Sequence, residues 1–419
     1  MDNTVLEHII AQYAEEASFL WLLRNRAVHA PHYRLSDLSA LDSRIEAHLD
    51  GIRTAGDAGW EICKGALAYM EAGEIFTGGI IAFEGNKSER IRVMLETGIC
   101  SAELSRGIIS ALGWLSYAHA EGHIKRLLNA GQAEFRRIGI AASVIHRQDP
   151  GRTLADALTD SDPLLKMEAI RATGRLGKNE FLFQLKDNYE SNHEACRFWS
   201  AWSGALLGDA NSIIVLKTIA MSDSPYREEA MKTAIRRMDL PSFNEWHGEF
   251  TRSPDLLRLA VIGAGTSGDS SFIPWLIEKM EAPELARIAG EAFTMITGVD
   301  IANGDFRGEK PEYFETGPTE NPENEDIALD PDDDLPWPDY RSVFAWWDKN
   351  KDFFKHDIRY MLGQPLSDGW LEQVLRRGRQ RERYAAALEL VILHPGEIVF
   401  EVRAPGFCQE QMLGQRRNF

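Results

Sequence analysis

Few residues of this chain are framed for chemistry. A serine nucleophile on a strand-to-helix elbow needs Gly-x-Ser-x-Gly, and Gly263-Ala-Gly-Thr-Ser-Gly268 reads instead as a turn between helices. No Gly-x4-Gly-Lys-Ser/Thr stretch is present to cradle a nucleotide phosphate. His29, His32 and His48, near Arg24 and Arg26, lack a compact metal-ligand spacing, and His193 and His247 stand alone. Glu228 and Glu229 are adjacent, so on a helix they point to different parts of its surface. Cys63, Cys100, Cys196 and Cys408 lie far apart and read as isolated thiols. Glu320 to Asp334 carries eight acids and no base, yet Asp330-Pro-Asp-Asp-Asp-Leu335 lacks the glycine that a calcium loop needs at its sixth place. Catalytic residues, a cofactor and a bound metal are therefore not expected, and the chain reads as a non-enzyme.

The remaining chemistry is that of binding. Arg376, Arg377, Arg379, Arg381 and Arg383 form the one basic concentration. They could grip phosphate, RNA or an acidic protein, or simply start an exposed helix that pairs with the acidic stretch upstream. Tryptophan anchors protein interfaces, or fills cores. Trp337, Trp346 and Trp347 with Arg376, Arg377, Arg379 and Arg381 are the candidate partner-binding set; Trp199, Trp202, Trp246 and Trp275 are further tryptophans to place. The formal charge of −18 opposes general nucleic-acid binding and suits a basic protein partner. No uninterrupted apolar run is long enough to span a membrane, and Met1 to His8 does not read as a signal peptide, so a cytoplasmic protein is expected.

These residues must be positioned by helices. Between Asp162 and Ile301 one set of features recurs. A polar or proline turn opens each unit: Asp162-Pro163, Asn192-His193, Ser224-Pro225, Ser253-Pro254, Ala282-Pro283. Small residues at helical spacing follow: Ala169 and Ala172, Ala201 and Gly204, Ala230 and Ala234, Ala260 and Ala264, Ala286 and Ala289. A break such as Leu176-Gly177, Gly208-Asp209, Gly268-Asp269 or Thr297-Gly298 then precedes a second apolar run. Leu176 to Leu207 is 31 positions, and Pro225 to Pro254 and Pro254 to Pro283 are 29 each. A near-fixed period in this range predicts stacked two-helix repeats, because one short hairpin cannot bury its apolar stripe alone. About eight units are expected between Asp57 and Ile301.

The expected fold is all-α: an α-solenoid of two-helix repeats with a small helical C-terminal region. Residues 1–55 read as an N-terminal helical cap and 56–301 as the repeats. Residues 302–338 read as a long acidic, proline-rich and partly disordered connection. Residues 339–419 read as helical, with Glu397 to Arg403 a short strand or extended tail.

Units such as Asp162-Pro-Leu-Leu-Lys-Met-Glu-Ala-Ile-Arg-Ala-Thr-Gly-Arg-Leu-Gly177 resemble the short HEAT-like repeats of phycobilisome-lyase-type proteins. The terminal motifs Leu38-Ser-Ala-Leu-Asp-Ser-Arg-Ile-Glu-Ala-His-Leu-Asp-Gly51, Asp334-Leu-Pro-Trp-Pro-Asp339, Arg376-Arg-Gly-Arg-Gln-Arg381 and Phe400-Glu-Val-Arg-Ala-Pro-Gly406 resemble an uncharacterised proteobacterial HEAT-repeat family found beside type VI secretion components. That resemblance implies an adaptor or chaperone for a secreted effector or its spike carrier. The alternatives are an immunity protein that blocks a toxin, or a HEAT-repeat enzyme of the chromophore-lyase or DNA-glycosylase kind.

Overall fold

In a computed structural model of the chain, residues 7–314 and 330–415 are described. The chain forms two compact units, Met1–Asp209 with Leu375–Phe419, and Ala210–Val374. The fold is all-α; among the described residues the strands amount to one two-residue pair.

The first unit contains α1 (Glu7–Ala27), α2 (Leu35–Ala55), α3 (Asp57–Ala66), α4 (Ala72–Gly85), α5 (Ser88–Gly98), α6 (Ala102–Trp114), α7 (Tyr117–Leu128), α8 (Ala133–Ile145), α9 (Arg152–Ala157), α10 (Pro163–Arg175), α11 (Leu182–Lys186) and α12 (Glu194–Leu206). Helices α4, α6, α8, α10 and α12 pack each on the next, while the intervening helices form hairpins with them. In the second unit α13 (Ser212–Ala220), α14 (Arg227–Arg237), α15 (Leu240–Phe250), α16 (Leu257–Ser267), α17 (Ile273–Lys279) and α18 (Pro283–Thr297) repeat the scheme, with α14, α16 and α18 stacked. Each unit is thus a solenoid-like stack, and α3 to α18 pair into eight hairpins; each small-residue helix pairs with the helix before it, as α12 does with α11, and not with the apolar run after it as the order of features in the sequence predicts.

The small residues explain how the stacked helices approach. Ala169, Ala172, Ala201, Ala230, Ala234, Ala260 and Ala264 are fully buried. A Cβ added to Gly174 would stand 2.5 Å from Ser203 Oγ on the next stacked helix, and one added to Gly265 would stand 2.7 Å from Ala292 Cα. Asp162 begins α10 by accepting from the Leu164 and Leu165 amides, with Pro163 in the first turn, where its missing N–H costs nothing. Gly177, Gly208, Gly268 and Gly298, the expected helix ends, all take the left-handed conformation.

The rest of the chain seals the ends of these stacks. In the second unit, after α19 (Tyr340–Asn350), β1 (Tyr360–Met361) and β2 (Gln364–Pro365) form a hairpin over the last turns of α16 and α18. The Tyr360 amide donates to Gly268 O at 2.8 Å, and the Leu362 and Gly363 amides donate to Met295 O and Ile296 O at 2.7 and 2.9 Å. Arg359 donates to Arg236 O and Ser267 O, at 3.1 and 3.0 Å. Helix α20 (Asp368–Arg377) leads back to the first unit, where α21 (Gln380–Leu393) packs on α12 and α22 (Gly406–Gln415) on α2. Between α21 and α22 the chain is extended, and the Val399 amide donates to Arg175 O at 2.9 Å.

The C-terminal segment and the acidic connection refine the sequence reading. Glu397 to Arg403 is an extended segment and not a strand, and its Val399 amide meets the end of α10. Beyond it Gly406 N–H donates to the Asp42 carboxylate at 2.6 Å, which starts α22. The acidic connection is anchored at both ends. Arg307 pairs antiparallel with Pro338, Gly308 N–H donates to Trp337 O, and Asp339 N–H donates to Phe306 O. Of its acids, Glu320, Glu323, Glu325 and Asp326 lie outside the described residues.

Replacing Gly265 by Val is expected to lower unfolding stability by about 2 kcal/mol or more, by overpacking α16 on α18. Gly248→Ala, at a helical glycine facing open space, is expected to change stability by less than about 1 kcal/mol, in the stabilising direction. Chemical denaturation of both variants checks the contrast.

Candidate interaction surface

Helix α19 carries the sequence Val343-Phe-Ala-Trp-Trp347, five apolar residues in a row. At 100° per residue such a run covers more than one turn, so it cannot all face inward. Asp339 fixes the start of the helix: its carboxylate accepts from Arg341 N–H and from the Ser342 hydroxyl at 2.7 Å, and the latter bond, its largest influence, lowers its pKa. Only Val343 is buried; the helix rests on α17. Trp346 meets buried Phe293 edge-on with centroids 5.8 Å apart. Phe354 touches Trp346, Trp347 and Tyr360. These rings make a half-buried seam. Phe344, on α19, is 57% exposed, and Phe353, next in sequence to Phe354, is 77% exposed.

Trp337 is held elsewhere in the same unit. Its ring lies 4.6 Å from the Arg287 guanidinium carbon and meets Phe314 edge-on. The structure therefore brings Trp346 and Trp347 together around Phe354, with Trp337 on a separate cation–π contact. Trp202 and Trp246 are core residues, and Trp199 and Trp275 are half-buried under Arg171 and Lys279.

The arginine concentration lies in the first unit and is divided in its environment. Arg383 is fully buried, donating to Leu375 O at 2.6 Å, to Gln409 Oε1 at 2.5 Å and to Gln380 Oε1. Its cation is met by amide oxygens, and burial lowers its pKa to about 10. Arg376 donates to Leu413 O at 2.7 Å, Arg381 to His29 O at 3.2 Å, and the Arg379 backbone amide to Glu382. Arg377 is exposed. The expected pairing with the acidic stretch is not what the structure shows for Asp330 and Asp332, which pair with Arg287 and Arg258 of the second unit.

The helical histidines are structural in their contacts. His123, His146 and His247 each place Nε2 within hydrogen-bond distance of a carbonyl on another helix, of Phe83, Leu112 and Ala260. His247 is ringed by Phe243, Phe272 and Trp275. Burial lowers the pKa of all three and of His29, the last helped by Arg403, Arg381 and Arg106. Among the described residues no group of three or more histidines, cysteines or carboxylates converges as a metal site. No helix among them is long and apolar enough to cross a membrane.

The sequence reading missed Phe344 and Phe353, although the unbroken apolar run on α19 was the signal for the first. It also missed Arg258, Arg287 and Arg359, whose partners lie 43 to 123 positions away. A scan against models of protein families finds no match to the chain, and a search of the curated proteins finds none.

Two outcomes follow. Arg383→Met is expected to cost about 3 kcal/mol or more, since it strands buried oxygens, whereas Arg377→Ala costs less than about 0.5 kcal/mol; denaturant midpoints separate them. For the histidines, a folded pKa below the unfolded value means that the unfolded chain takes up more protons as pH falls. Their stability is present in full above the usual imidazole value of 6.5 and is lost as pH drops through the lowered folded values. Thermal melts from about pH 7.5 to about pH 5.5 should show a falling Tm, with a shallower fall in His247→Gln.

Proposed function

We propose that this protein is a non-enzymatic scaffold that binds another protein through the aromatic face of α19. The observation that carries the reading is the exposure of Phe344 on α19, 57%, and of Phe353 in the turn that follows it, 77%, in a stretch where Trp346 and Trp347 are half-buried and α19 buries one side chain. Exposed aromatics grouped around a rigid seam are the usual anchors of a protein interface. Trp346 and Trp347 are fixed by Phe293 and Phe354, so little side-chain freedom is lost when a partner covers them. The resemblance of the terminal motifs supports a secreted effector or its spike carrier as that partner, with the protein as adaptor or chaperone.

The test is a photo-crosslinking amino acid placed at 344, at 353 and, as a control, at exposed Ile214 on α13. Positions 344 and 353 are expected to yield the same discrete protein adduct in the native host, absent from position 214. Phe344→Ala with Phe353→Ala should weaken binding of that protein by about tenfold to a hundredfold. Adducts indistinguishable from those at 214 would remove the reading.

A further inference from the structure

Arg258 and Arg287 sit 29 positions apart near the starts of the consecutive stacked helices α16 and α18, at the repeat spacing. Both hold one short acidic segment of the same unit. Arg258 grips Asp332 with two bonds of 2.5 and 2.7 Å, and Arg287 meets Asp330 at 2.5 Å. The Asp332 carboxylate is buried, with 4% of its side chain exposed, and that of Asp330 nearly so, at 9%, while Arg258 keeps 34% exposure. Asp332 N–H donates to Asp330 Oδ1 and Leu335 N–H to Asp332 O, so the segment keeps a compact turn with Leu335 buried beneath it. Three contacts thus recognise Asp330-x-Asp332-x-x-Leu335: two carboxylates two positions apart and one apolar side chain.

We infer that the Arg258–Arg287 pair is a docking site for acidic peptide segments, filled in this chain by its own Asp330–Leu335. Apolar side chains would cover these helices at lower desolvation cost than two ion pairs with largely buried carboxylates do. A segment held by charge can be exchanged for another chain with the same charges, and its hold weakens with salt. The surroundings allow that exchange. A cleft of about 450 Å³ opens against the segment, lined by Arg287, Arg307, Lys310, Asp333, Leu335 and Trp337. The base of the loop has backbone bonds of its own, the Arg307–Pro338 pairing and the Gly308–Trp337 bond, although the Trp337 ring also rests on Arg287. Release of the segment therefore leaves the stack and the loop base in place. The occupant is a partner carrying Asp-x-Asp-x-x-Leu, and the chain's own copy competes with it. This site is distinct from the α19 face and stands if that face binds nothing.

The probe is a fluorescein-labelled synthetic peptide of Asp330–Trp337, titrated into the full chain and followed by anisotropy. In wild type the tethered copy, at high effective concentration, blocks the site. The variant Asp330→Lys with Asp332→Lys repels that copy from the arginines and should bind the peptide at least about tenfold more tightly than wild type does. Adding Arg258→Gln to the variant should abolish the gain, and higher salt should weaken it. Where circular dichroism shows the lysine variant unfolded, Asp330→Asn with Asp332→Asn carries the same comparison and the same expectation. Equal binding by wild type and a folded variant overturns the inference. So does competition by inorganic phosphate as effective as by unlabelled peptide, which would make the pair a general anion site.

Discussion

Every α-helix ends with carbonyls that have no partner in the helix itself, and a stack of parallel helices sets those ends side by side. That constraint shapes both units. In the second, the hairpin amides of Tyr360, Leu362 and Gly363 and the guanidinium of Arg359 satisfy the last carbonyls of α14, α16 and α18 or of the residue just beyond. In the first, Val399 does the same for α10. The glycines at the helix ends make this possible twice over. Gly268 and Gly298 turn the chain at φ of +69° and +74°, and a Cβ on either would strike the backbone of the hairpin within 2.3 and 2.6 Å. A side chain there would hold the capping segment away, and the carbonyls would lose their donors.

A second consequence is the number of charges in the interior. Arg24 and Asp42, on α1 and α2, pair at 2.5 Å while both are nearly inaccessible. Their remaining hydrogen-bonding capacity goes to the returning chain: Arg24 donates to Arg403 O and Ala404 O, and Asp42 accepts from Gly406 N–H. Gln380 and Gln409 complete the cluster by donating to Val402 O. Arg175 pairs with Glu401 nearby. An apolar core at these points would bury more cheaply, but it would accept the returning segment in several registers. Directional bonds to named carbonyls accept one.

What the sequence made legible was local. Stacked hairpins followed from small residues, proline turns and glycine stops recurring near 30 positions, and one more regularity went unused. Asp149, Asn179, Asp209, Asp239 and Asp269 fall at intervals of 30, and Asp149, Asp239 and Asp269 each accept from an amide two or three residues ahead. That is the Asx pattern that opens a turn or helix, and it needs no tertiary knowledge to recognise. The returning segments were not legible, because their partners lie 67 to 380 positions away and no periodicity encodes such pairings. The same limit applies to the candidate surface. The three tryptophans of the binding set are half-buried, as an anchor requires, yet the residues that stand out beside them are phenylalanines. The arginine run looked like one surface feature, but adjacent sequence positions around a turn face different neighbours: Arg383 the core, Arg376 the last helix, Arg377 solvent.

The two proposed recognition features differ in kind. The α19 face gains from burial of rigid rings already held in place, which favours affinity and depends little on salt. The Arg258–Arg287 pair gains from charge and geometry, which favours selection among partners and responds to salt. The α19 face lies on a segment that follows the helical repeats, whereas the arginine pair lies on the stacked repeat helices α16 and α18 themselves. In a chain of net charge −18, an acidic ligand is repelled at long range, so an intermolecular acidic segment reaches the arginine pair only when other contacts have already brought its carrier close. The site is therefore suited to the second step of an association, after an apolar first contact has raised the local concentration of the competing segment.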